Sequence, residues 1–245
     1  MLRQSIWISS QKGRRRYPIA RVILANHAGF CFGVRRAVET AERSTPAMTL
    51  GPIIHNPHVV ASLAEIGVHS AGTPDEIPPG SRVVIRSHGI GRDAYRALEA
   101  RDCEIVDATC PFVRRIHDMA REASQAGTPL IVIGEGDHPE VQGILGWSDA
   151  PAWAVLTEAD VMALPPLESA RVVAQTTMVQ ERFDALCRLL SQRIAHLDVR
   201  ATICTATRDR QQEVAELARR VDVMIVIGSR QSSNSRKLYR LAAGL

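Results

Sequence analysis

Short apolar runs alternate with amphipathic segments along most of the chain. Residues 21–25 (RVILA) are apolar and branched, as in a buried strand of a parallel sheet. Residues 34–43 then carry apolar side chains at positions 34, 37, 38 and 41, which is helical spacing. A second apolar run, 48–50, leads into the polar segment 53–56. The pattern predicts a strand, a helix, a strand and a polar loop, with Cys31 between the first strand and the helix.

The same order of elements recurs twice. The second unit comprises strand 104–107, Cys110, helix 113–126, strand 130–133 and loop 134–140. The third comprises strand 199–203, Cys204, helix 211–221, strand 223–227 and loop 228–235. Two further predicted strands, 83–86 and 171–174, also end in polar residues. A cysteine in the same slot of each unit indicates an internal repeat.

Alternating strands and helices predict an α/β fold with parallel sheets and crossover helices. We expect three small domains related by pseudo-threefold symmetry, each a mostly parallel sheet flanked by helices, around a central site. The predicted units span residues 20–109, 110–203 and 204–245, after a basic leader at residues 1–19. The third unit is short for an independent core, so we expect it to be incomplete.

Polar side chains follow many of these strands. Ligands of open parallel sheets bind beyond the carboxyl ends of the strands, so such residues converge if the three units face a common centre. The candidates are Cys31, Cys110, Cys204, His55, His88, His138, Glu140, Thr176, Ser232, Ser233 and Asn234.

Composition narrows the class of protein. The chain has 245 residues, 45% of them hydrophobic, which favours a globular protein. No apolar run approaches the roughly 18 residues of a membrane helix, and the aromatic content of 4% argues against a base-stacking surface. Five basic and no acidic residues in the leader account for the net charge of +4. We therefore expect a cytoplasmic protein with neither a membrane nor a nucleic acid as its partner.

The five cysteines suggest metal chemistry. An odd number of cysteines in a chain without a secretion signal argues against a disulfide framework. Three thiols could bind zinc together with a histidine, or an iron–sulfur cluster; the short Cys-x-x-Cys pairs of structural zinc sites are absent from the sequence. A 4Fe–4S cluster on three cysteines leaves one iron open to substrate. Cys103 and Cys187 are expected to be packing residues.

The remaining candidates suit an anionic substrate. Imidazole, hydroxyl and amide groups, with helix N-termini, bind phosphate oxygens. Glu140 could deliver a proton if it is buried. The residues therefore predict a redox enzyme for a small phosphorylated substrate. His27, His58, His69, His117 and His196 are expected to be solvated or structural.

Eight segments in order resemble the 4-hydroxy-3-methylbut-2-enyl diphosphate reductase family. They are 28–37 (AGFCFGVRRA), 54–56 (IHN), 87–89 (SHG), 107–113 (DATCPFV), 138–143 (HPEVQG), 175–177 (QTT), 202–204 (TIC) and 232–235 (SSNS). The similarity extends from about residue 21 to the last residue.

The resemblance implies an oxidoreductase of the last step of the non-mevalonate isoprenoid pathway. Such an enzyme removes the hydroxyl of the allylic diphosphate with two electrons and two protons, which gives isopentenyl and dimethylallyl diphosphates. It also implies a 4Fe–4S cluster on Cys31, Cys110 and Cys204, and ferredoxin or flavodoxin as the electron donor. Glu140 would be the proton donor and Thr176 would position the hydroxyl.

By the same resemblance, the substrate-binding residues are His55, His88, His138, Thr176, Ser232, Ser233 and Asn234, with His138 also a candidate proton relay. Ala201 and Thr205 replace the acid and the aromatic residue usual in the family, and the third unit is shorter than usual. The alternative is a truncated copy that binds diphosphate or metal with little or no turnover. We therefore expect weak cluster binding and slow turnover.

Overall fold

The computed structural model describes residues 21–244, and the predicted leader lies outside them. The strands are β1 Ala47–Leu50, β2 Val68–Ala71, β3 Arg82–Ile85, β4 Glu104–Asp107, β5 Leu130–Ile133, β6 Ala152–Val155, β7 Ser169–Ala174 and β8 His196–Arg200. The helices are α1 Phe32–Arg43, α2 Pro57–Glu65, α3 Arg92–Glu99, α4 Pro111–Gln125, α5 Pro139–Leu145, α6 Glu158–Ala163, α7 Gln180–Ser191, α8 Thr205–Ala218 and α9 Ser233–Ala243. A 3-10 turn, Pro74–Glu76, follows β2.

The strands form two parallel sheets of four strands each. Their orders are β2-β1-β3-β4 and β6-β5-β7-β8, and every strand pair is parallel. The two sheets therefore repeat one topology, with the predicted strand 104–107 at the edge of the first sheet.

Both faces of each sheet are covered. In β5, Ile131 and Ile133 pack with α6 and α7, while Leu130 and Val132 pack with α4 and α5. The first sheet is covered by α1 and α2 on one face and by α3 with the 3-10 turn on the other. The structure confirms the predicted α/β class with parallel sheets flanked by helices. In the part of the chain described, no helix is long and apolar enough to cross a membrane.

Two predicted strands do not form. Residues 21–25 and 223–227 are irregular, and Ile227 is 92% exposed. A strand needs a neighbour for its backbone hydrogen bonds, and none pairs with either segment within residues 21–244. The predicted strand 199–203 is instead β8, which pairs with β7 at the edge of the second sheet. The structure therefore shows no third sheet in residues 21–244, and the chain after Cys204 contributes α8 and α9.

The two sheets meet where the loop after β3 packs on the end of α5. The Trp147 Nε1 donates to the Ile90 carbonyl oxygen at 2.9 Å, and the Arg92 amide donates to Gly146 at 3.2 Å. Gly146 and Gly91 lie so close that a Cβ on Gly146 would be 2.8 Å from the Gly91 Cα. Backbone therefore packs on backbone at this junction.

His117 of α4 lies at the same junction. It is buried and stacks on Trp147 with ring centroids 5.6 Å apart. Its Nε2 has no hydrogen-bond partner among the residues described. Burial lowers the pKa of His117 to about 4, so the junction contains a neutral imidazole at pH 7. His117 is structural, as expected.

Gly146→Ala should destabilise the fold. The added methyl group must displace Gly91 backbone, and overpacking of this kind costs about 1–3 kcal/mol. Denaturant unfolding measures the change. Gly136→Ala is the matched control, because its Cβ would meet only ordinary contact at 3.7 Å. Equal stability of both variants would contradict the close packing.

His117→Leu should weaken the loss of stability in acid. In the unfolded chain, a histidine is protonated as the pH falls below about 6.5. In the folded protein, His117 is protonated only near pH 4, so acid favours the unfolded state. This difference in pKa lowers the free energy of unfolding by about 2 kcal/mol between pH 7 and pH 5. The leucine variant should not show this loss. Urea unfolding at the two pH values tests this, with the exposed His69→Leu as the control. Parallel pH profiles for wild type and His117→Leu would be the contrary result.

Candidate active site

The three cysteines of the predicted slot occupy equivalent positions. Cys31, Cys110 and Cys204 are the N-cap residues of α1, α4 and α8. None of the three side chains caps its helix, so the thiols remain available to a ligand. The positive end of a helix favours negative charge, including that of a thiolate. The expectation that a cysteine precedes a helix in each unit is confirmed.

The three thiols lie close enough for their charges to interact. Burial raises the pKa of Cys110, and the thiols of Cys31 and Cys204 raise it further. Burial also raises the pKa of Cys204, to which Glu140 and Cys31 contribute. Gly33 leaves room for this arrangement, since a Cβ there would lie 2.5 Å from the Cys110 Sγ. The raised pKa values favour the neutral thiols, and a bound metal group would supply the positive charge that stabilises thiolates at these positions.

The spacing of the thiols bears on which metal group fits. Within residues 21–244, the group of three or more possible ligand atoms lying within 4.8 Å of one another consists of histidines, and the cysteines are not part of it. Tetrahedral zinc, with Zn–S bonds of about 2.3 Å, holds its sulfur atoms about 3.8 Å apart. The three cysteine sulfur atoms are therefore not all as close together in this structure as a tetrahedral zinc site would hold them.

Three histidine rings converge beside the thiols. His55 follows β1, His88 follows β3, and His138 is the N-cap of α5. The ring centroids are 4.5 Å apart for His55 and His88, and 5.4 Å apart for the other two pairs. The His55 Nε2 and the His88 Nδ1 are buried and have no hydrogen-bond partner among the described residues. These nitrogen atoms are free to bind a ligand.

The histidines are neutral at pH 7. Burial lowers the pKa of His55 and His88, and it lowers that of His138 to about 4, with His55 adding to the effect. The Glu140 amide donates to the His138 Nδ1 at 3.1 Å, which leaves the proton of a neutral ring on Nε2. His138 therefore offers an N–H donor.

Glu140 and Thr176 form a buried pair. The Thr176 amide donates to one carboxylate oxygen at 2.6 Å, and its hydroxyl donates to the other at 2.8 Å. Burial nevertheless raises the pKa of Glu140. The Thr176 carbonyl oxygen accepts from the Cys204 amide at 3.1 Å. The pair is thus fixed beside one of the three thiols.

The N-terminus of α9 supplies the predicted serines and asparagine. The Ser232 side chain caps the helix by accepting from the Ser235 amide at 3.3 Å. The Ser233 hydroxyl donates to Glu135 at 2.7 Å and lies 3.2 Å from the Thr177 hydroxyl. The Asn234 Oδ1 is buried without a partner in the described region.

Four charged residues near the site were not among the sequence candidates. They are Arg86, Glu135, Arg236 and Lys237. Glu135 forms ion pairs with Arg236 and with Lys237, the latter at 3.0 Å. Burial would raise the pKa of Glu135, but the Ser233 hydroxyl and Lys237 lower it to about 2. Glu135 lies in a polar loop that the sequence pattern had indicated, whereas nothing in the sequence pairs it with α9.

Cys103 and Cys187 pack against apolar side chains of the first and second sheets, respectively. Burial raises the pKa of Cys187 to about 11. Both residues therefore behave as the packing residues that the sequence predicted.

Comparison with known proteins finds relatives over most of the chain. A family model described as LytB protein matches residues 22–245. The 4-hydroxy-3-methylbut-2-enyl diphosphate reductase of Caldanaerobacter subterraneus subsp. tengcongensis is 39% identical over 90% of this chain and 79% of its own. That of Pelobacter propionicus is 42% identical over 92% and 81%.

Solved structures give the same result. The (E)-4-hydroxy-3-methyl-but-2-enyl diphosphate reductase described as the terminal enzyme of the non-mevalonate pathway has a TM-score of 0.72 at 40% identity, covering 91% of this chain and 82% of that one. The E-1-hydroxy-2-methyl-but-2-enyl-4-diphosphate reductase from Plasmodium falciparum has a TM-score of 0.84 at 28% identity, covering 89% and 71%. The chain therefore belongs to the LytB family, the 4-hydroxy-3-methylbut-2-enyl diphosphate reductases.

Proposed function

We propose that this protein reduces (E)-4-hydroxy-3-methylbut-2-enyl diphosphate to isopentenyl and dimethylallyl diphosphates, the last step of the non-mevalonate isoprenoid pathway. The reaction consumes two electrons and two protons, and the hydroxyl leaves as water. The observation that carries the proposal is the buried Glu140–Thr176 pair, fixed between three converging thiols and three converging histidines.

Cys31, Cys110 and Cys204 would hold a 4Fe–4S cluster. The residues fit such a group, because their thiols are partly buried, act on one another's pKa and do not cap their helices. When bound, the cluster supplies electrons to the allylic carbon–oxygen bond, drawn from a ferredoxin or flavodoxin.

Glu140 acts as the proton donor. Its raised pKa lets the carboxyl group stay protonated at a higher pH than an exposed glutamate does. A general acid needs that proton to donate. Thr176 fixes the carboxyl group through two hydrogen bonds and positions the substrate hydroxyl. Donation of the Glu140 proton to that hydroxyl lets the oxygen leave as water. The His138 Nδ1 accepts from the backbone amide of Glu140, so a further proton would be relayed through its Nε2–H.

The diphosphate group binds to His55, His88, His138, Ser232, Ser233 and Asn234, with Thr176 nearby. Neutral imidazoles and hydroxyls donate hydrogen bonds to phosphate oxygens, and the N-terminus of α9 adds its dipole. Ser233 exchanges its bond to Glu135 for one to the substrate. No described feature favours binding without turnover, because the thiols, the acid and the histidines all occupy one site.

Glu140→Gln should lower kcat about 100-fold or more, because general acid catalysis contributes about 10²–10⁴-fold. The amide is isosteric but cannot supply the proton. Turnover of the allylic substrate with dithionite-reduced viologen measures the loss, and EPR spectroscopy should show an unchanged cluster. Glu99→Gln, an exposed change on α3, is the control. A Glu140→Gln enzyme with more than half of wild-type kcat would refute the assignment.

Serine at Cys31, Cys110 or Cys204 should strongly reduce iron and sulfide per chain after anaerobic purification. Serine at Cys103 or Cys187 should leave both unchanged, because these residues pack in the sheets. Iron, sulfide and zinc analyses with EPR check this. Zinc without sulfide would contradict the cluster, and near-stoichiometric iron and sulfide would contradict the expectation of a weakly active copy.

A further inference from the structure

We infer that Arg86 is a diphosphate-binding residue that supplies a fixed positive charge to the site. The inference deepens the proposed function, on which its choice of ligand rests. Sequence motifs did not indicate this residue, which directly precedes the Ser87-His88-Gly89 segment.

The Arg86 side chain lies between the loops that carry two of the histidines. Its Nε donates to the Gly89 carbonyl oxygen at 3.3 Å, next to His88. Its Nη1 packs on Gly51, at the end of β1, where a Cβ would approach it to 2.2 Å. Gly51 begins the loop that leads to His55. The absence of a side chain at Gly51 therefore lets the guanidinium cross the carboxyl edge of the first sheet.

Arg86 has no acidic partner within residues 21–244, where it forms no ion pair, whereas Arg236 and Lys237 share Glu135. Its side chain is partly buried, and burial lowers its pKa. A partly buried cation without a counter-charge costs stability, and a bound anion would offset that cost.

The adjacent histidines lack the charge that Arg86 provides. His55 and His88 are neutral, and Arg86 is among the causes that lower the pKa of each. Their unpartnered nitrogens can bond to phosphate oxygens but do not neutralise them. A guanidinium does both, since its planar array of N–H groups matches a phosphate.

The positive charge of Arg86 also argues against a metal ion as the ligand of the three histidines. Their ligand atoms lie within 4.8 Å of one another, close enough for a metal ion. A divalent cation there would be repelled by the Arg86 guanidinium, which forms no ion pair within residues 21–244. The combination of three imidazoles with Arg86 therefore selects an anion.

Binding of inorganic diphosphate to the cluster-containing protein tests the inference by calorimetry. Arg86→Gln should raise Kd about 10- to 100-fold, the loss expected for a charged hydrogen bond. Arg86→Lys retains the charge and should raise Kd less. Arg43→Gln makes the same charge change at the exposed end of α1 and should leave Kd within about twofold of wild type.

A thermal melt separates binding from structural support. Without ligand, Arg86→Gln should melt at a higher temperature than wild type, because an uncompensated buried charge is removed. With saturating diphosphate, the order should reverse. A lower melting temperature together with an unchanged Kd would show a structural residue and overturn the inference.

The outcomes also separate this inference from the proposed function. Binding that depends on Arg86 without reduction of the allylic substrate would refute the proposed function and support the inference. Turnover with a Kd that Arg86→Gln leaves unchanged would refute the inference alone. If wild type does not bind diphosphate, the inference fails.

Discussion

Burial of ionisable side chains without their counter-charges is the constraint on which this site depends. Three thiols, three imidazoles and one carboxyl group lie at the ends of two packed sheets, and burial shifts the pKa of most of them toward the neutral form. Such groups cost free energy in the absence of a ligand. A positive group would stabilise ionised thiols, and an anion would offset the charge of Arg86 and accept hydrogen bonds from the neutral histidines. The proposed cluster and diphosphate would supply these two partners.

The fold meets this constraint through its parallel sheets. All strands of a parallel sheet end at one edge, so the loops after β1 and β3 place His55 and His88 together. The second sheet repeats the arrangement with β5 and β7, whose following residues contain Glu135, His138, Glu140 and Thr176. Tight packing of backbone at Gly91 and Gly146 then holds the two edges against each other.

Sequence predicted those parts that depend on local order. The slot of Cys31, Cys110 and Cys204 before a helix and the apolar strands such as β5 follow from periodicity alone. The strand predicted at 223–227 failed because an apolar run specifies a strand only where a neighbour pairs with it. The sequence also did not indicate Arg86 and Glu135 as site residues, for a related reason. Their significance comes from which charges do or do not lie nearby in space, and sequence spacing does not encode that.

Polar and charged contacts, more than apolar packing, hold α8 and α9 in place. Ser233 is the buried residue of α9, and Thr207 and Gln211 are those of α8. Glu135 binds Ser233, Arg236 and Lys237 of α9, while Glu213 and Arg210 of α8 bond to backbone at residues 26–29. A diphosphate that takes Ser233 from Glu135 would also attract Arg236 and Lys237. Under the proposed substrate binding, the position of α9 would be coupled to occupancy of the site, because the same hydroxyl and cations would serve both.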